Sequence, residues 1–140
     1  MKVLYFLNDF DLSPTYNLWT ADMAQVPTQP GAYVLLAASG TKFLYPNGSS
    51  PVFYVGQASN LQKRLLTHRK YSLEAKSDRK LPLYYPRYEY AAVFGCRFAL
   101  IRTWQGFSAK ALEEVVLAHF AKRFRSFPIA NGAGSWNRIV

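Results

Sequence analysis

The sequence predicts one small α/β domain in the order strand, strand, helix, strand, helix, with residues 1–28 as an N-terminal extension packed on the domain and residues 29–140 as the domain itself. Three observations support this. Three apolar runs rich in β-formers, "AYVLLAA", "VFYVGQA" and "AAVFGCRFALIRTW", read as strands. Two segments, "SNLQKRLLTHRKY" and "AKALEEVVLAHFAKRF", carry apolar residues at helical spacing. Half of the 140 residues are hydrophobic, which supplies one core and argues against disorder.

Taken in order, "KVLYFL" reads as a short strand, and "SPTYNLW" as one or two helical turns with Ser13 as cap and Pro14 at the first helical position. "VPTQPG" is a loop. "AYVLLAA" is apolar on both faces, as a central strand covered on both sides would be. The turn-rich connector "SGTKFLYPNGSSP" leads to "VFYVGQA", most simply an antiparallel neighbour. Ser59 or Asn60 caps the first helix, whose buried side carries Leu61 and Leu65. Residues 72–90, "SLEAKSDRKLPLYYPRYEY", are polar, aromatic and broken by two prolines, and read as mostly loop. A third strand follows, bulged near Gly95. Ser108 caps the last helix, and residues 126–140 form an irregular tail.

Seventeen Lys and Arg against eight Asp and Glu give a formal charge of +9. Such a balance points to a polyanionic partner: DNA, RNA or an anionic membrane surface. Cys96 is the sole cysteine, so it forms no internal disulfide, and no Cys/His cluster suits zinc. The opening "MKVLYFLNDFDLS" meets acids too early for a signal peptide, and no apolar run is long enough for a bilayer span. The expectation is a reduced, cytoplasmic protein.

Chemistry-bearing residues are few. Arg64 and His68 lie four apart and border the Leu61/Leu65 stripe, either as a site wall or as side chains that snorkel and satisfy local carbonyls. Glu113 falls inside the apolar arc of Leu112, Val116, Leu117 and Phe120, whereas Glu114 falls outside it. A carboxylate on a core-facing arc needs a cation, either a metal ion or an arginine such as Arg64. One such acid is too few for a two-carboxylate glycosidase or a two-metal cluster. One acid, one arginine, one histidine and tyrosines suit phosphodiester hydrolysis. A single metal and the arginine can stabilise the pentavalent phosphate, and a tyrosine or histidine can handle the water's proton.

In this order the residues resemble the GIY-YIG nuclease superfamily. The first motif is present as "GAY", residues 31–33, and the second as "YVG", residues 54–56; Arg64, His68 and Glu113 follow, then Asn131 after Pro128. The match runs over about residues 29–131. The resemblance implies a three-stranded antiparallel sheet flanked by helices, with the site across one face. It implies that Tyr33, with His68, positions or deprotonates the attacking water and that Tyr54 projects into the same site. Arg64 would contact the scissile phosphate, Glu113 would hold one Mg2+ or Mn2+, and Asn131 would orient the site by hydrogen bonding. Lys63, Arg69 and Lys70, extended by Arg79 and Lys80, would attract the DNA backbone. Tyr84, Tyr85 and Tyr88 would either stack on unpaired bases or pack on the core edge. The chain departs from the pattern in Ala32 where isoleucine is usual, in a longer connector between the motifs, and in a second candidate asparagine, Asn137. No separate DNA-binding domain is evident, so specificity would come from the domain itself, a dimer or a protein partner. Such a stand-alone nuclease suits a phage, mobile-element or effector setting. RNA stays open as substrate, and a non-catalytic nucleic-acid-binding domain on the same scaffold is the alternative function.

Overall fold

A computed structural model describes residues 4–78, 85–103 and 106–131. Its elements are β1 (Tyr16–Asn17), β2 (Gly31–Leu36), β3 (Phe43–Tyr45), β4 (Gly48–Ser50), β5 (Val52–Ala58), α1 (Leu61–Asp78), α2 (Pro86–Phe94), β6 (Arg97–Arg102) and α3 (Ala109–Phe124), with single 3-10 turns at Tyr5–Leu7, Met23–Gln25 and Ile129–Asn131. The result is a small α/β domain with antiparallel sheets. The main sheet has four strands, ordered β1-β6-β2-β5, and β3 and β4 form a separate hairpin.

All six residues of β2 are buried, because helices cover both sides of the sheet. On one face Tyr33, Leu35 and Phe53 pack with Leu61 and Leu65 of α1 and Ala91 of α2. On the other, Ala32, Val34, Leu36 and Val52 pack with Leu112, Val116, Leu117, Phe120 and Phe124 of α3. Each fully buried Leu, Val or Phe contributes about 1.5–3 kcal/mol, so the two layers dominate the fold's stability. Tyr33 is paired with Gly56 on one side and Leu100 on the other. The register shifts so that Leu36 faces Val52 but Leu35 faces Tyr54, leaving Phe53 as the extra residue. Through this bulge Phe53 and Tyr54, adjacent in sequence, both pack on the α1/α2 face.

Several expectations are corrected. The expected helix at "SPTYNLW" is absent: Tyr16–Asn17 is a strand, and Leu18–Trp19 form a turn. β1 pairs with β6, and Ser13 Oγ accepts the N–H of Leu100 at 2.8 Å rather than capping a helix. The free edge of β6 offers unpaired backbone groups, and satisfying them outweighs the local helical signal. Tyr5–Leu7 is a 3-10 turn, not a strand, and Leu4 and Leu7 join the α3-side core. The segment "SLEAKSD" is not loop: α1 continues to Asp78, and its buried stripe is Leu61, Leu65, His68, Ser72 and Ala75, at alternating spacings of four and three. Two polar members hid that stripe. Ser72 is buried because its hydroxyl accepts from Trp19 Nε1 at 2.9 Å and donates to the Arg69 carbonyl at 3.1 Å.

α2 is likewise a helix where loop was expected. Pro86 opens it, and Gly95, at φ 81°, closes it as a C-cap rather than forming a bulge. The third strand therefore begins at Arg97, not Ala91. The connector between β2 and β5 contains the β3–β4 hairpin, pinned to α3 by reciprocal bonds of Asn47 and Arg123. Asn60 and Ser108 cap α1 and α3 as expected, accepting the N–H groups of Lys63 at 3.0 Å and Ala111 at 3.1 Å. Among the described residues no helix is long and apolar enough to cross a membrane. Lys2, Val3, Arg79, Lys80, Tyr84, Trp104 and Asn137 lie outside the described residues.

Candidate active site

Three elements converge on Tyr33. It projects from β2 toward α1 and α2, over the position where Gly56 lacks a side chain. A Cβ at residue 56 would lie 2.5 Å from Tyr33 Cζ, closer still to its hydroxyl, and 2.9 Å from Tyr54 Cε2. The glycine of "YVG" is thus the space that Tyr33 fills. Gly56→Ala is expected to displace Tyr33 and to destabilise the fold by about 1–3 kcal/mol, the usual penalty of overpacking. Urea denaturation checks this, and an unchanged midpoint would show that the ring moves aside freely.

The Tyr33 hydroxyl is 2.5 Å from His68 Nε2, and His68 Nδ1 is 3.1 Å from the Tyr88 hydroxyl. His68 is 1% exposed, as is Tyr33, and Tyr88 is also buried. Burial, reinforced by the cations of Arg87 and Arg64, lowers the His68 pKa to about 3. Burial also raises the Tyr33 pKa well above that of a free phenol; Tyr54 adds to the rise, while Arg64 and Arg87 oppose it. Tyr33 and His68 are therefore neutral at neutral pH. Each hydroxyl can donate or accept, so the array admits two states: Tyr33 donates to Nε2 while Nδ1–H donates to Tyr88, or both directions reverse.

Tyr54 stands nearer solvent, half-buried, with its ring centroid 6.2 Å from those of both Tyr33 and His68. Its pKa is raised by burial; Arg87 and Arg64 lower it, and Glu113 raises it. The carboxylate of Glu113 is therefore electrostatically close to Tyr54, although α3 packs on the other face of the sheet. Glu113 is 8% exposed and Glu114 is exposed, as the helical arc implied. Arg64, one turn before His68, is exposed and lines an open cleft with Ser59, Asn60, Lys63 and Thr67.

The other expected residues divide. Lys63 and Lys70 are exposed on α1. Arg69 is committed elsewhere: its Nε donates to the Leu18 carbonyl at 2.8 Å and its Nη2 to the Ala21 carbonyl at 2.5 Å, tying the N-terminal segment to α1. Asn131 does hydrogen-bond, but to backbone. Its Oδ1 accepts the Val55 N–H and its Nδ2 donates to the Val55 carbonyl, each at 2.9 Å. Among the described residues β5 is the sheet's edge strand, and the Asn131 amide takes the place of a neighbouring strand between Tyr54 and Gly56.

Sequence reasoning missed Arg87 entirely and left Tyr88 between two uses. The available signal was Pro86, a residue favoured at the first helical position, immediately ahead of both. As for a metal, no group of three or more His, Cys, Asp or Glu lies together among the described residues. Both ring nitrogens of His68 are engaged by hydroxyls. Glu113 is the carboxylate acting on the site, which fits a hard ion such as Mg2+ that takes one carboxylate and fills its remaining positions with water and phosphate oxygens. Compared with protein-family models, curated proteins and solved structures, the chain matches none.

Proposed function

We propose that this protein is a metal-dependent endonuclease that hydrolyses DNA phosphodiester bonds through a single-metal site of the GIY-YIG type, with β6-β2-β5 corresponding to that family's three-stranded sheet. The observation that carries the reading is the Tyr33–His68 hydrogen bond, which joins two residues 35 positions apart that the motif pattern had singled out independently. The high positive charge supports a polyanionic substrate.

In this reading Arg64, exposed beside the cleft, meets the scissile phosphate. Glu113 would hold Mg2+ or Mn2+, which supplies charge stabilisation at the phosphate when bound. Tyr33 accepts a proton from the attacking water as its own proton passes to His68 Nε2, and Tyr88 holds the imidazole in position through Nδ1. Because Tyr33 is 1% exposed, the water it serves would have to enter with the substrate rather than come from bulk solvent. The raised phenol pKa and lowered imidazole pKa disfavour the charged pair at rest, so the transfer belongs to the transition state, where a phosphorane anion offsets the imidazolium.

Arg64→Ala and Glu113→Gln are each expected to slow cleavage by about 10²–10³-fold, the usual cost of removing one charge-stabilising group. Melting temperature checks that each variant is folded. Equal cutting by folded variants would remove these two residues from the chemistry. A non-catalytic nucleic-acid-binding domain is the competing reading: it calls for binding by the wild type with no cutting in any divalent metal.

A further inference from the structure

Arg87 sits in the first turn of α2, where a cation opposes the helix dipole. Its guanidinium carbon is 4.5 Å from the Tyr85 ring centroid, 4.9 Å from that of Tyr88 and 5.2 Å from that of Tyr54. The side chain is half-buried, and its Nε is enclosed without a hydrogen-bond partner. Burial disfavours its charge, but the phenols of Tyr54, of Tyr88, which also hydrogen-bonds it, and of Tyr33 more than offset that. A guanidinium drawn out of water without an acid is costly unless something else completes it. Stacking on ring faces and the Tyr88 hydrogen bond supply that compensation, but they leave the in-plane Nε–H without a partner.

A planar cation held by rings, with an enclosed donor unspent, is preorganised for an oxyanion. Its position says which one. Arg87 acts on Tyr33, Tyr54 and His68 together, and on His68 more strongly than Arg64 does. It therefore borders the same site as Arg64 but comes from a different helix.

We propose that Arg87 is a second phosphate-binding residue of this site: α1 supplies Arg64, α2 supplies Arg87, and together they grip the backbone phosphate of a bound nucleic-acid strand. The nucleic-acid ligand is taken from the nuclease reading, but the test does not require cleavage. Tyr54, Tyr85 and Tyr88 act in this scheme as the stack that fixes the guanidinium plane.

The test is anisotropy of a labelled duplex oligonucleotide in EDTA, across a range of salt, for wild type, Arg87→Met and Arg87→Lys. Methionine keeps most of the stem in the stack and removes the charge; Arg87→Gln replaces it if Arg87→Met does not fold. Loss of one phosphate contact lowers the slope of log affinity against log salt by about 0.9. That loss is expected in Arg87→Met and not in Arg87→Lys. In Mg2+, Arg87→Met is further expected to cut about 100-fold more slowly, and Arg87→Lys to regain only part, because an ammonium lacks the planar fork. An unchanged salt slope in folded Arg87→Met overturns the proposal whether or not the protein cuts. A lowered slope with a wild type that never cuts upholds the phosphate contact and sinks the nuclease reading. A wild type that binds no nucleic acid sinks both.

Discussion

Tyr33→Phe is expected to slow cleavage by about 10²–10⁴-fold, the range that positioned proton transfer supplies. The substitution removes a single oxygen. The ring stays in the slot over Gly56, and the packing against Leu61 and Leu65 is retained. What is lost is the partner of His68 Nε2, in a setting where His68 is 1% exposed and water cannot replace it. An unsatisfied buried group costs about 1–3 kcal/mol, so the variant should fold with a modestly lower melting temperature. Single-turnover rates at saturating protein separate the lost chemistry from any lost binding. A rate within threefold of wild type would take Tyr33 out of the proton path and leave Tyr54, the more open phenol, as the group that meets the water.

The second large effect is on stability in acid. His68 has a folded-state pKa of about 3, against about 6.5 when unfolded. Below pH 6.5 the unfolded chain therefore binds a proton that the folded chain refuses, and stability falls as pH falls. The contribution is fully present above pH 6.5 and drains away down to about pH 3. Between pH 7 and pH 5 the loss amounts to about 2 kcal/mol. The groups facing the ring make protonation harder: Arg87 and Arg64 repel the imidazolium, and the phenols of Tyr33 and Tyr54, their pKa values raised, bring no negative charge. His68→Gln removes the titration and lowers the starting stability. Urea midpoints for the two proteins should converge as pH falls from 7 to 5. Parallel curves would mean that His68 is protonated in the fold without cost, contradicting its sealed, neutral state.

Where the sequence was legible, one physical signal acted alone. β2 is apolar throughout because it is covered on both sides, and α3 shows its buried arc, including Glu113, at clean helical spacing. Where it misled, two signals competed. The far half of α1 buries His68 and Ser72, whose polarity is satisfied by Tyr33, Tyr88 and Trp19, partners remote in sequence. Read locally, such residues end a helical stripe; in the fold they continue it. β1 is two residues long and exists because β6 has an open edge, which no local pattern announces.

The candidate site divides the same way. Tyr33, Tyr54, Arg64, His68 and Glu113 were named from motif order; Tyr33 and His68 are hydrogen-bonded, Arg64 acts electrostatically on Tyr33, Tyr54 and His68, and Glu113 acts on Tyr54. Their geometry was not legible: the bulge that turns Tyr54 to the Tyr33 face depends on pairing with β2. Arg69 had looked like part of the cationic surface, yet it serves backbone carbonyls of the N-terminal segment. Arg87 escaped notice because its helix begins at the second of two closely spaced prolines, in a basic, aromatic stretch that reads as loop. A charge count along the chain cannot tell a tethered arginine from one held ready for a ligand.

The most direct test of the central claim is incubation of the purified wild-type protein with supercoiled plasmid in Mg2+, in Mn2+ and in EDTA, with products resolved as nicked and linear forms. The nuclease account predicts nicking in at least one of the metals and none in EDTA. Intact plasmid in every condition, with binding to the same DNA demonstrated in parallel, would contradict it and leave a nucleic-acid-binding domain in its place.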